Sequence, residues 1–219
     1  MNIARMATRI AAGATATVLA TAALGAPAQA HGKTKPLGNR SLAAVLTADK
    51  SGFDHNSKDF DVLTAAVLAV LKAKPGSPVK VLTDGKVALT AFVPNDGAFR
   101  QLAKEVGQSK RLPSEKAAFT TVAGLGIDTV EAVLLYHVVP GATVDRKAAL
   151  KSDGAKLTTA AGSKIKVDVY RTWWHGKKVA LIDADRNDRN PRIVRFDINK
   201  GNKQIAHGID AVLRPVDLP

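Results

Sequence analysis

The spacing of apolar positions divides the chain into a helical first part and a strand-rich second part. In DFDVLTAAVLAVLKA, Phe60, Leu63, Val67, Val70 and Leu71 recur at helical spacing behind Asp59 and Asp61. That pattern predicts an amphipathic helix ended by KPGSP. A shorter helix is expected over SLAAVL, with Ser41 as its cap. VKVLTDGKVALTAFVP holds two β-rich runs around Asp84-Gly85 and predicts a hairpin. Pro94-Asn95-Asp96 stops the second run and offers caps for a helix, GAFRQLAKEVG, that closes at Gly107. Another helix is expected from Ser114 to Val122. In IDTVEAVLLYHVV, Asp128 and Glu131 have the spacing of a capping box, with Ile127 placed to staple onto Ala132.

Beyond Pro140 the period shortens to two. KIKVDVY alternates strictly, with Ile165, Val167 and Val169 on one face and Lys164, Lys166 and Asp168 on the other, which predicts a half-buried strand. TWWHGKK reads as a hairpin tip and VALI as its returning strand. RIVRFDI and QIAHGIDAVLRP add two more strands, with NKGN as the turn between them. Helices first and antiparallel strands later argue an α+β fold.

Composition changes this picture at the N-terminus. Arg5 and Arg9, a weakly apolar stretch without acids, and APAQA make the pattern of a secretory signal peptide over residues 1–30, with cleavage expected after Ala30. Residues 31–39 are then a flexible polar leader and 40–219 a single domain, with no membrane-spanning segment once the signal is removed. The chain has no cysteine, so stability must come from core burial even in an oxidising place. Lys and Arg number 32 against 19 Asp and Glu, a formal charge of +13. In an exported protein that excess points to wall polymers, acidic polysaccharide or lipid headgroups rather than nucleic acid, or to solubility alone.

Three stretches, in order and at the right spacing, resemble the fasciclin domain family. TAFVPNDGAF is similar to its first signature, LLYHVVPG to its central Tyr-His motif, and QIAHGIDAVLRP to its second signature. Asn95 stands where Thr or Ser is usual, and Lys203 and Gln204 stand where the family has Asn-Gly. The resemblance covers about residues 40–217. It implies a β-wedge of about seven strands with helices packed on it. It also implies an extracellular role in adhesion or matrix contact and no catalytic machinery.

Several residues stand out as candidates for chemistry or contact. His137 falls on the helix face of Val130, Val133 and Leu134, which should turn to the core. It either ties the helix end to the first signature near Asn95 or Asp96, or forms a contact surface with Tyr136; Tyr136 points away from that face and is the better contact candidate. His207 shares a strand face with Ile205 and Ile209, and burial with a partner is expected. Asp210 follows it as part of the same structural motif. The five His show no metal-ligand spacing, no nucleophile elbow is present, and neither an enzyme, a metal nor a cofactor is expected. Asp183, Asp185 and Asn187 occupy the first, third and fifth places of a calcium-loop pattern. Asp188 replaces its Gly and Val194 its Glu, so a charged loop held by Arg186, Arg189 and Arg192 is the expectation.

The last candidate is a basic stretch. Residues 164–203 hold eleven Lys or Arg against five Asp, and Trp173 and Trp174 lie within it, followed by Lys177 and Lys178. An exposed Trp pair on a hairpin tip can stack on sugar rings or dip into headgroups while the lysines meet anionic groups. The competing expectation is that at least one Trp packs under the loop. The function expected from the sequence is non-catalytic, surface-mediated contact with an acidic envelope or matrix polymer or a surface protein. The alternative is binding of a glycan or small ligand.

Overall fold

The computed structural model describes residues 36–216. The segment read as a signal peptide and the beginning of the polar leader lie outside the described residues. Helices α1 (Leu42–Leu46) and α2 (Asp61–Ala73) come first, then a 3-10 turn over Pro78–Thr83 and strand β1 (Leu89–Pro94). Helices α3 (Asp96–Val106), α4 (Glu115–Gly124) and α5 (Ile127–Tyr136) follow, then β2 (Val138–Pro140) and a one-turn helix α6 (Arg146–Ala149). Strands β3 (Lys156–Thr158), β4 (Lys164–Thr172), β5 (Gly176–Ile182), β6 (Ile193–Ile198) and β7 (Gln204–Ile209) complete the described chain. The fold is α+β, as the order of periods implied. No single helix among the described residues is long and apolar enough to cross a membrane.

The strands form two sheets, one of order β2-β1-β7-β6 and one of order β3-β4-β5. At the centre of the first, β1 and β7 run parallel from Leu89 opposite Gln204 to Pro94 opposite Ile209, and both are buried along their whole length. Because side chains alternate across a strand, this pair feeds two cores. Leu89, Ala91, Val93 and Ala206 pack with Val62, Leu63, Phe99 and Val130 of the helices. Phe92 and Ile209 pack with Ile165, Val167, Val179 and Leu181 of the second sheet. The four-stranded sheet is thus a middle layer between helices and the three-stranded sheet.

Local chemistry explains most boundaries. Ser41, Asn95 and Ser114 each cap their helix by accepting a backbone N–H three residues on, from Ala44, Ala98 and Ala117. Helix α2 has no cap of its own; Asp96 supplies one from across the molecule, accepting the N–H groups of Asp61 at 3.1 Å and Val62 at 2.9 Å.

Four expectations need correction. Residues 78–94 are not a hairpin. Pro78 and a Ser77 hydroxyl that accepts from Val79 N–H start a 3-10 turn instead, and β1 takes distant partners. Gly85 serves a close approach, since a Cβ there would lie 1.8 Å from the Asn39 carbonyl oxygen. The capping box is absent: the residue before α5 is Gly126, with φ 89° and no side chain to cap the helix, while Asp128 and Glu131 both bind Lys74. Gly38, expected in a flexible stretch, is instead fixed by backbone bonds to Gly201 and Lys203. The α6 turn, capped by Asp145, interrupts a stretch that the sequence suggested was all strand.

Candidate contact site

The two core histidines use both ring nitrogens on backbone. His137 donates from Nδ1 to the Val133 carbonyl at 2.7 Å and accepts at Nε2 from Leu213 N–H at 3.0 Å. It therefore ties the end of α5 to the second signature and not to Asn95 or Asp96. Burial pushes its imidazole down to about 4, although the Val133 bond opposes this. His207 donates from Nε2 to the Val144 carbonyl at 2.8 Å and accepts at Nδ1 from Asp197 N–H at 3.2 Å. Asp197 has φ 62° at the bulge in β6, so its amide leaves the ladder and points at the ring. Burial lowers the His207 pKa as well. Neither ring has a nitrogen left for catalysis or metal binding.

Tyr136 is completely buried, which corrects its reading as a contact residue. Its ring lies in the second core with Phe92, Ile165 and Leu213, and its hydroxyl donates to the Lys164 carbonyl at 3.3 Å. The end of α5 is enclosed on both sides, His137 beside the helical layer and Tyr136 against the second sheet. A helix assumed to have one buried face hides that.

Asp210 organises the segment before β6. Its carboxylate accepts from Arg192 N–H at 2.8 Å and pairs with the guanidinium groups of Arg189 and Arg192 at 2.9 and 3.0 Å. Those arginines are therefore not the holders of the calcium-like loop. Arg214 takes that place, with its backbone N–H on Asp183 and its guanidinium 3.1 Å from Asp188 and 3.5 Å from Asp185. Burial raises the Asp183 pKa to about 7.

The hairpin of β4 and β5 is where side chains face outward. Trp173 and Trp174 are 91% and 85% exposed, so neither packs under the loop. The tip is tight: Thr172 accepts from His175 N–H and pairs across with Gly176, whose φ of 66° suits glycine. Arg171 stands opposite Lys177, and Lys156 of β3 stands opposite Lys166 of β4. Like charges directly across a strand pair are unfavourable. Lys164, Lys166 and Lys156 share the outer face of the sheet, and Lys178 joins them opposite Tyr170. Beside the tip, Arg171, Thr172 and Trp173 line an open concavity of about 460 Å³.

One cluster escaped the sequence reading. Asp54, Asp61 and Glu115 bring carboxylate oxygens within 4.8 Å of one another, and Asp59, Asp61 and Asp96 do the same. These residues come from a loop and the starts of three helices, with no fixed spacing that could have signalled them. Burial raises Asp61 to about 6 and Asp96 to about 8, and the neighbouring Asp59 carboxylate adds to both shifts.

The Fasciclin domain family model matches residues 63–215. A search of curated proteins finds no match. Among solved structures, the chain is similar to a FAS1 domain pair from the insect cell adhesion molecule fasciclin I, at 13% identity and a TM-score of 0.43. That alignment covers 70% of this chain and 43% of the insect one, so this chain spans less than half of that structure.

Proposed function

The chain belongs to the fasciclin domain family, whose members are generally non-catalytic and have adhesion-related roles, and from that premise we propose that it is a secreted contact protein. It docks on an anionic envelope or matrix polymer through the β4–β5 hairpin. The observation that carries this reading is the adjacent pair Trp173 and Trp174, both almost fully exposed at a tight tip. Two large apolar rings held in water are unfavourable unless something covers them. The lysine and arginine side chains around them repel one another across the strands, and a polyanion relieves that repulsion. The rest of the family motif is spent on structure: Asn95 and Asp96 on caps, His137 and His207 on cross-links, Asp210 on arginines.

A second reading, recognition of neutral glycan, draws on the concavity beside Trp173, where a sugar ring has room to stack. Salt separates the two. We expect the chain to bind isolated envelope and acidic polysaccharide, with affinity falling steeply as ionic strength rises. Trp173→Ala and Trp174→Ala should each weaken binding about tenfold, roughly 1.4 kcal/mol, without changing the melting temperature. Salt-resistant binding that both Trp substitutions abolish supports the glycan reading. Binding that survives both substitutions removes the hairpin from the mechanism.

A further inference from the structure

The acidic cluster at the start of α2 and α4 has no role in that contact surface, and its chemistry is unusual. Glu115 is only 2% exposed, and neither of its carboxylate oxygens has a hydrogen-bond partner. Burial raises its pKa, and the Asp54 charge adds to that; the nearby Asp54 amide offsets part of it without meeting hydrogen-bond geometry. Asp61 is also buried, and its Oδ2 is unpartnered. The Arg100 charge acts on Glu115 and offsets part of its shift, but it forms no ion pair with the cluster. Arg100 is committed to Ser57 Oγ at 2.6 Å and to the Pro113 carbonyl at 2.7 Å. Among the described residues no Lys or Arg forms an ion pair with Asp54, Asp59, Asp61, Asp96 or Glu115.

Buried carboxylates are ordinarily paired, hydrogen-bonded or bound to a metal. From this geometry we propose that Asp54, Asp61 and Glu115 form a binding site for a divalent, oxygen-preferring cation of the size of calcium. The donor set is all carboxylate, which selects a hard cation. Two oxygens on one calcium ion, each at about 2.4 Å, can stand no more than about 4.8 Å apart, and the three oxygens meet that limit pairwise. Magnesium, at about 2.1 Å, would draw them closer and keep more of its water. Asp96 is a poorer ligand because both of its oxygens are held by the α2 amides. Asp59, with a buried unpartnered Oδ1, adds negative charge behind the site.

The scaffold suits this use. Asp61 and Glu115 are fixed on the first turns of helices of 13 and 10 residues, while Asp54 stands on the solvent-accessible loop before α2 and gives the ion a way in. The neighbouring Phe53 ring packs on Phe119 of α4 at 5.6 Å, holding the loop beside Glu115. A bound ion would join the loop and the two helix starts, and it would neutralise charges that repel one another when it is absent.

The test uses the full chain, stripped with a chelator and titrated with calcium chloride at constant ionic strength by calorimetry and thermal unfolding. We expect one site with Kd of roughly 0.1–1 mM, the range of extracellular calcium modules, and a melting temperature that rises with calcium. Glu115→Gln keeps the side-chain shape and removes one repelling charge. It should leave the stripped protein as stable or more stable, yet weaken calcium binding at least tenfold. Asp54→Asn lies on the accessible loop and should weaken binding by a similar factor with the fold retained. A wild-type chain that neither binds nor is stabilised by calcium up to about 10 mM overturns the proposal. So does calcium binding of equal strength in wild type and both variants.

Discussion

His137 accepts the Leu213 N–H through a nitrogen that must stay unprotonated, and its other nitrogen is held by Val133. Protonation would set a second donor against that amide inside a buried, apolar surrounding. The folded pKa of about 4 lies below the ordinary 6.5. The stabilisation from the neutral ring is therefore complete above about pH 6.5 and is lost as pH falls towards 4, on the order of 3 kcal/mol in total. His137→Ala should cost about 1–3 kcal/mol at neutral pH, because Leu213 N–H is left unpaired. The variant should also show a shallower loss of stability between pH 6.5 and 4. Denaturant unfolding across that range checks both, and an unchanged acid slope would mean that another group titrates there. That His207 would be buried with partners was legible in the alternation of Ile205, His207 and Ile209. The partner of His137 was not, because Leu213 lies far along the chain and no local pattern links the two. Tyr136 was misread for the same reason, since burial on a helix flank depends on what packs there.

Elements whose boundaries rest on nearby side chains were the legible ones. Asn95 and Ser114 announced their helices through side chains that reach only three residues. The alternation of Lys164 to Val169 foretold β4, including which residues face out. The stretch from Pro78 to Gly85 failed this test because β-rich composition says nothing about which partners are available. Its apolar residues Val79 and Leu82 are three apart and fall on one side of a 3-10 turn, where both are buried. Gln204 completes that arrangement. Its amide accepts Leu42 N–H at 2.8 Å and donates to the carbonyls of Val81 and Asp84, each at 2.8 Å. Gly85 is the tight point of this element. Gly85→Ala would drive a methyl group into the Asn39 backbone and should destabilise the protein by about 1–3 kcal/mol. Thermal unfolding measures this, and a stability equal to wild type would show that the 36–41 segment moves aside freely.

At the scale of the whole molecule the two sets of unusual charges lie on different elements. The basic side chains gather on the β3–β5 sheet and its tip, whereas the unpaired carboxylates gather where α2 and α4 begin. Net charge alone shows an excess of cations and hides the second set. This separation keeps the two proposals experimentally distinct. Substitutions at Trp173 and Trp174 should leave calcium binding intact, and Glu115→Gln should leave polymer binding intact.

The parallel pairing of β1 with β7 has a consequence in time. Strand β1 is made early, but its partner is formed by residues 204–209, and the groups that lock it come later still, at Leu213 and Arg214. Until that segment has been synthesised, β1 lacks a neighbour on one edge and both cores lack a wall. Contacts this far apart in sequence also form slowly. A chain cut before residue 204 should therefore lack a cooperative unfolding transition and be cleaved rapidly by protease, even though every helix of the structure is still encoded. For a chain expected to carry a secretory leader, the same delay is useful. The polypeptide stays threadable until residues 204–214 exist, and the two cores close only after that.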